Sequence, residues 1–188
     1  MRQSEADKYF KDSKSYEIMD VYNEDDVNPL ETQEKDDPKR LALARTAWGE
    51  GRNQGRDGMH LIQHVIKNRA NSGGAYNWPE NVFDVTRQSK QFSAWNPNDP
   101  NKAKMEALDP TSEDKQFQEA YEISDQELPK ELQEIFGDAD HYHTDKVSPS
   151  WSKSPKMRKL GQHGSHLFYS TKPGTGVSPA ANMTGGTL

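Results

Sequence analysis

Apolar residues recur at helical spacing through most of the middle of this chain, and one of the stripes they form ends on an acid. In Leu41–Gly58, LALARTAWGEGRNQGRDG, residues Leu43, Ala47 and Glu50 stand at i, i+4 and i+7. On a helix Glu50 therefore shares the core-facing side with apolar neighbours. Gly51 is placed to cap that helix in the left-handed conformation, which puts Glu50 in its last turn, near the negative end of the helix dipole. Burial and the dipole both disfavour the ionised carboxylate, so the pattern predicts a proton donor at Glu50. The alternative is an ordinary solvated acid at a helix end. A second stripe, Met59, Ile62 and Ile66, predicts a helix capped by Asp57 and running to about Ala70, where Ser72-Gly73-Gly74 ends it. Asn68 and Arg69 then sit beside a cleft or brace it. Thr111 or Ser112 is expected to cap a third helix reaching about Gln126, with Phe117, Ala120, Tyr121 and Ser124 on one face. The stretches HYHTD and HLFYS read as short strands. The predicted class is α+β, helix-dominated, with a small β-hairpin.

Charge divides the chain. Residues 1–38 hold 12 acidic and 5 basic side chains, a net of −7, whereas the whole chain of 188 residues carries −6. Apolar residues inside this acidic stretch, Tyr9, Phe10, Tyr16 and Tyr22 among them, suit either an arm docking on a surface or a plain extension. Residues 173–188, PGTGVSPAANMTGGTL, carry no charge and no period, the composition of a flexible tail. Three segments follow: an acidic arm over 1–38, one folded domain over 39–172 and an uncharged tail over 173–188. A mean hydropathy of −1.13 fits one core and extensive solvated surface. The absence of cysteine excludes disulfides and thiolate chemistry. No apolar run is long enough for a secretory signal or a membrane span.

Six histidines invite a metal reading. His60 and His64 have the i, i+4 spacing of a helical zinc pair, but Leu61 stands where a zincin needs glutamate, so no metal site and no cofactor is expected. In an extended HYH segment, His141 and His143 share one face and Tyr142 takes the other. His163 and His166 precede an apolar strand and are expected to be structural. The segment QFSAWNPND combines Gln91, Ser93 and Asn96, which can hydrogen-bond sugars, with Phe92 and Trp95 as apolar platforms. Trp151 and Tyr169 are further aromatic candidates. Trp48 is expected in the core, desolvating the neighbouring acid.

Six blocks in order, LARTAWGEGRNQGRDGM, HVIKNRANSG, QFSAWNPND, ADHYHTD, PSWSKS and GQHGSHLFYS, resemble the cell wall hydrolase family typified by the spore cortex-lytic enzyme SleB. The resemblance spans roughly residues 40–172. It implies a lysozyme-like domain that cleaves peptidoglycan as a lytic transglycosylase, with the catalytic glutamate falling on Glu50. It also places HYH on the cleft wall, so that His141 and His143 are expected to contact sugars or to be positioned near Glu50, and with Tyr142 they join Gln91, Phe92, Ser93, Trp95, Trp151 and Tyr169 as expected substrate contacts. The family commonly carries an acid in the turn after its glutamate, and here that place holds Gln54. One acid suits an intramolecular route, in which the muramyl 6-hydroxyl replaces water and a 1,6-anhydro sugar results. The expected partners are glycan strands of the wall and, through residues 1–38 and 173–188, proteins of a phage particle, with no nucleic acid and no membrane span. Without a signal, delivery to the wall would be by a virion or through a holin pore. The competing readings are a hydrolytic muramidase using the same Glu50, a virion assembly protein retaining the fold, and a metal-dependent amidase.

Overall fold

The computed structural model describes residues 37–174. The acidic stretch and the uncharged tail fall almost wholly outside the described residues. Asp37 and Pro38, assigned above to the arm, belong instead to the first helix, α1 (Pro38–Gly51). The Asp37 side chain accepts from the Lys39 N–H, and Pro38 occupies the first turn, where its missing N–H costs nothing. A single 3₁₀ turn, Arg52–Gln54, leads into α2 (Gly55–Ala70).

The chain reverses at a different glycine from the one expected. Gly51 has φ −141° and is not left-handed; the positive φ, +73°, falls on Gly55. Gly51 matters for another reason, because a Cβ there would run into Cδ1 of Ile62 on α2. The second helix also starts three residues earlier than predicted, with Gln54 and not Asp57 at the cap position. Asp57 is in its first turn and does not cap it. Its far end is as expected, with Gly73 and Gly74 both at positive φ just beyond Ala70.

α2 is the central element, apolar on two sides. Met59, Ile62 and Ile66 pack with Leu43, Ala47 and Trp48 of α1, with Phe92, and with Phe117 and Ala120 of α5 (Lys115–Glu122). Leu61 and Val65 face a second cluster with Leu128, Ala139, Phe136 of α6 (Lys130–Phe136), and Phe168. Tyr142 touches both clusters. The third predicted helix proves shorter: Asp114, not Thr111 or Ser112, caps α5 by accepting from the Phe117 N–H, and the helix passes into a 3₁₀ turn at Ile123–Asp125. Asp114 is the better cap because Thr111 and Ser112 are held in a turn around the Asp109 carboxylate. Two short helices, α3 (Val82–Arg87) and α4 (Lys102–Ala107), complete the helical layer.

The β part is larger than a hairpin. Strands β1 (His141–Thr144), β2 (Arg158–His163) and β3 (His166–Ser170) form an antiparallel sheet in the order β1-β3-β2, turning from β2 to β3 at Gly164. The helix-dominated α+β class holds, with the hairpin extended by one strand. Arg69, buried at the end of α2, braces sheet to helices: its Nε donates to the Asp140 carbonyl at 2.6 Å and a terminal nitrogen donates to Gln91 Oε1 at 3.0 Å. Asn68 donates to the carbonyls of Gly137 and Ala139.

Gly49 lets the 3₁₀ turn Ser93–Trp95 lie against α1, since a Cβ there would meet Ala94 Cβ and Met105 Sδ at 2.8 Å or less. Ala94 cannot yield without moving its backbone. Gly49→Ala should therefore destabilise the fold by about 1–3 kcal/mol, the usual range for overpacking, in a denaturant titration. Activity on peptidoglycan should fall further than that loss of folded protein explains.

Candidate active site

Glu50 occupies the penultimate position of α1 and is half-buried. Three donors from two distant segments converge on its carboxyl group. Oε1 accepts from the Ala94 N–H at 2.7 Å and from Ser93 Oγ at 3.1 Å, while Oε2 takes a longer contact of 3.4 Å from the Tyr142 hydroxyl. Burial pushes the Glu50 carboxyl above its ordinary value; the three donors oppose that shift without cancelling it, and Asp99 adds a small upward push. The Tyr142 phenol is itself raised well above its ordinary range by burial and by the adjacent Glu50 charge, so it remains a donor.

This asymmetry decides where a proton sits. An oxygen that already accepts two hydrogen bonds is a poor place for a proton, so the neutral acid carries its hydrogen on Oε2. The group is thus oriented as a proton donor through one oxygen and anchored through the other. It is also positioned to take a proton back, because the Ala94 and Ser93 donors stabilise the carboxylate once formed.

The other residues singled out from sequence divide into groups. Ser93 and Tyr142 touch Glu50 directly. Gln91 is exposed close by, held by Arg69. Trp95 donates its indole N–H to Thr46 Oγ1, one turn before Glu50 on α1. Phe92 corrects its expected place: it is 2% exposed, packed in the core, and presents no platform to a ligand. Trp48 is likewise core, with its indole N–H on Asp114 and its ring beneath the Arg52 guanidinium.

Alternation in β1 puts the histidines opposite Tyr142, as the HYH pattern predicts, and hence away from Glu50. His141 and His143 lie instead in an aromatic cluster. The Trp151 ring sits 5.0 Å from His141 and 5.5 Å from His143, Trp78 lies 5.3 Å from His141, and Tyr169 stacks on His143 at 5.2 Å. His141 Nδ1 is fixed by the buried Asp140 carboxylate at 2.8 Å, which also accepts from the Thr171 N–H and hydroxyl. His143 bonds the Tyr169 hydroxyl at 3.1 Å. His60 and His64 spend their Nε2 atoms on the carbonyls of Gln126 and Gly137. Burial lowers the pKa of both rings, and among the described residues no group of three or more His, Asp or Glu side chains is arranged to hold a metal ion. His166 packs its ring 5.0 Å from Tyr142.

Sequence reasoning missed the Ala94 N–H, the shortest bond to Glu50, because a backbone donor leaves no signature in residue type. Asp140 was missed too, although its place immediately before HYH was a readable hint.

A family model described as Cell Wall Hydrolase matches residues 53–169. The match begins three residues after Glu50 and takes in Ser93, Ala94 and Tyr142. No curated protein and no solved structure matches the chain.

The geometry around Glu50 makes a pH prediction. A general acid works while protonated, so activity is lost as pH rises through its folded-state pKa. Tyr142→Phe removes a donor that favours the carboxylate, raising that pKa further. The alkaline limb of the kcat/KM profile should therefore move to higher pH in Tyr142→Phe, and an unmoved or acid-shifted limb would separate Tyr142 from the titrating group.

Proposed function

The chain belongs to the cell wall hydrolase family of SleB type, whose substrate is peptidoglycan, and we propose that it cleaves the bond between N-acetylmuramic acid and N-acetylglucosamine as a lytic transglycosylase with Glu50 as its one acid and base. The observation that carries this reading is the three-donor cradle around a carboxyl whose pKa is raised by burial. In the first step Oε2 gives its proton to the glycosidic oxygen as the C1–O bond breaks, and N-acetylglucosamine departs with that proton. Positive charge developing at C1 lies close to the newly formed carboxylate. In the second step the muramyl 6-hydroxyl closes on C1 and its proton passes to Glu50, restoring the acid and leaving a 1,6-anhydro end. The intramolecular hydroxyl has a high effective concentration, so a second carboxylate to activate water is not needed. Gln54, in the turn after Glu50, supports a one-acid scheme, since its Oε1 accepts the Ser165 N–H at 2.8 Å.

Gln91, Ser93 and Trp95 flank the acid on one side and are the proposed contacts for sugar hydroxyl and acetamido groups. The cluster of His141, His143, Trp151 and Tyr169 is proposed as an outer surface for the same strand, with Trp151, half-buried, as its accessible ring. Residues 37–172 are proposed to hold the whole activity, and the acidic and uncharged ends to serve delivery, by a phage particle or by release through a holin pore. Among the described residues no helix is long and apolar enough to cross a membrane.

Glu50→Gln preserves the shape and removes the titrating proton. Turnover of purified peptidoglycan should drop by at least a thousandfold, on the order of what a lost general acid costs. Stability should not suffer. Because the folded-state pKa is raised, the wild-type chain loses stability as pH climbs from the ordinary glutamate range through that pKa. At neutral pH the melting temperature of Glu50→Gln should accordingly equal or exceed that of wild type. Mass spectrometry of the products distinguishes the route: anhydro-muramyl ends are lighter by one water than the reducing ends left by hydrolysis, and reducing ends alone would assign a muramidase using the same glutamate. A chain trimmed to 37–172, keeping the Asp37 cap, should remain folded and cleave isolated walls within a few-fold of the full chain; failure to fold would make the acidic segment part of the domain.

A further inference from the structure

One turn of α1 before Glu50, an open cleft of about 490 Å³ is lined by Arg45, Arg87, Trp95, Lys102 and Glu106. Three cations and one anion leave it with an excess of positive charge. Glu106 pairs with Lys102 at 3.8 Å, and the carboxylates that act on the guanidiniums, Glu106 and Asp109 on Arg45 and Glu106 and Asp84 on Arg87, do so from beyond ion-pair distance. Arg45 spends only its Nε, donating to the Leu108 carbonyl at 2.8 Å. Arg87 lies over the Phe83 ring at 3.6 Å and the Trp95 ring at 4.4 Å, with NH1 turned to the Phe83 carbonyl and Thr86 Oγ1. Burial first, and then the Arg45 charge, push the Arg87 guanidinium below its ordinary pKa against the opposing pull of Glu106 and Asp84, so the two like charges are partly desolvated and repel one another. Ring and carbonyl contacts hold each guanidinium in place but put no counterion close to the pair. A bound anion would remove the repulsion.

We propose that this cleft binds a free carboxylate of the peptide carried on a muramyl residue of the glycan strand. Guanidinium edges donate in bidentate fashion to a planar carboxylate, and Glu106 in the lining disfavours a more highly charged phosphate. Placement supplies the link to the reaction. Trp95 lines the cleft, while Ser93 and Ala94 of the same 3₁₀ turn hold Glu50. A carboxylate seated between Arg45 and Arg87 therefore fixes the strand relative to the acid, and the cleft becomes a register device that selects peptide-bearing muramyl residues. The assignment rests on the peptidoglycan reading above, but carboxylate binding can be measured without turnover.

The test uses the full chain carrying Glu50→Gln, so that cleavage cannot obscure binding, and titrates it calorimetrically with an N-acetylmuramyl peptide ending in a free carboxylate. The same peptide with its carboxylates amidated should bind at least tenfold more weakly. Adding Arg87→Gln should weaken the acid form about tenfold and leave the amide unaffected. Lys102→Gln, which removes a half-exposed side chain, carries the same expectation by a smaller factor and serves if Arg87→Gln fails to fold. With Glu50 intact, Arg87→Gln should raise KM on peptide-bearing glycan by a clearly larger factor than on glycan stripped of peptides, where only its contact with the Trp95 ring is lost. Equal binding of acid and amide, binding insensitive to both substitutions, or tighter binding of a glycerol phosphate polymer would overturn the proposal. Carboxylate binding in a chain that cleaves no glycan would overturn the reading of Glu50 and uphold the cleft.

Discussion

The two-sided burial of α2 is the constraint on which the rest of the structure depends. A helix that presents Met59, Ile62 and Ile66 to one set of partners and Leu61 and Val65 to another has no solvent-facing apolar stripe to spare. It fixes the helical cluster and the sheet cluster relative to each other, and Glu50 is assembled across that division. Its own helix, α1, and the Ser93–Trp95 turn belong to the first cluster, whereas Tyr142 comes from the sheet. Small residues at the crossing points permit the approach: Gly51 lets α1 close on Ile62, and Gly49 lets Ala94 come near enough to donate. Bulk at either point would press on Ile62, or on Ala94 and Met105, of the first cluster and separate the acid from its donors.

At Glu50 two opposing effects act on one carboxyl group. Desolvation favours the neutral acid, and hydrogen bonds from Ala94, Ser93 and Tyr142 favour the carboxylate. Desolvation wins, but the donors keep the charged form accessible. A purely apolar setting would produce an acid that could not readily part with its proton, and a fully polar one would leave it ionised and unable to donate. The balance suits a group that must donate and accept within one catalytic cycle.

Much of this was legible in the sequence, and what was not has physical causes. The stripe Leu43, Ala47, Glu50 located the acid and its partial burial, since helical periodicity is set by backbone geometry alone. Alternation in HYH correctly opposed Tyr142 to the two histidines. It did not reveal which face met Glu50, because that depends on how the sheet docks on α2. Thr111 and Ser112 were misassigned as caps because each is also a good turn former, and only the tertiary path decides between the two roles; Asp57 was misassigned because an acid suits the first turn of a helix as well as its cap. The short helices α3 and α4 escaped notice because a segment of six residues is too brief to show a period. Phe92 was read as a platform from its polar neighbours in QFSAWNPND, yet Gln91 and Ser93 are exposed while the ring between them points to the core.

Gln54 connects the site to the sheet in a way that residue type alone does not suggest. Its amide oxygen accepts the Ser165 N–H and its nitrogen donates to Asn53 Oδ1. A carboxylate at this position could accept from Ser165 but would meet a second acceptor in the Asn53 side-chain oxygen as it is oriented here. With Asn53 in this orientation the amide satisfies both neighbours. Gly164, at φ +55°, lies so close that a Cβ there would strike the Gln54 oxygen, so the hairpin turn and the turn following Glu50 are fitted to each other. The consequence reaches the acid, because β3 pairs with β1 and β1 carries Tyr142. Gln54 thus helps set the sheet that delivers a donor to Glu50, and ties the turn after that acid to the turn between β2 and β3.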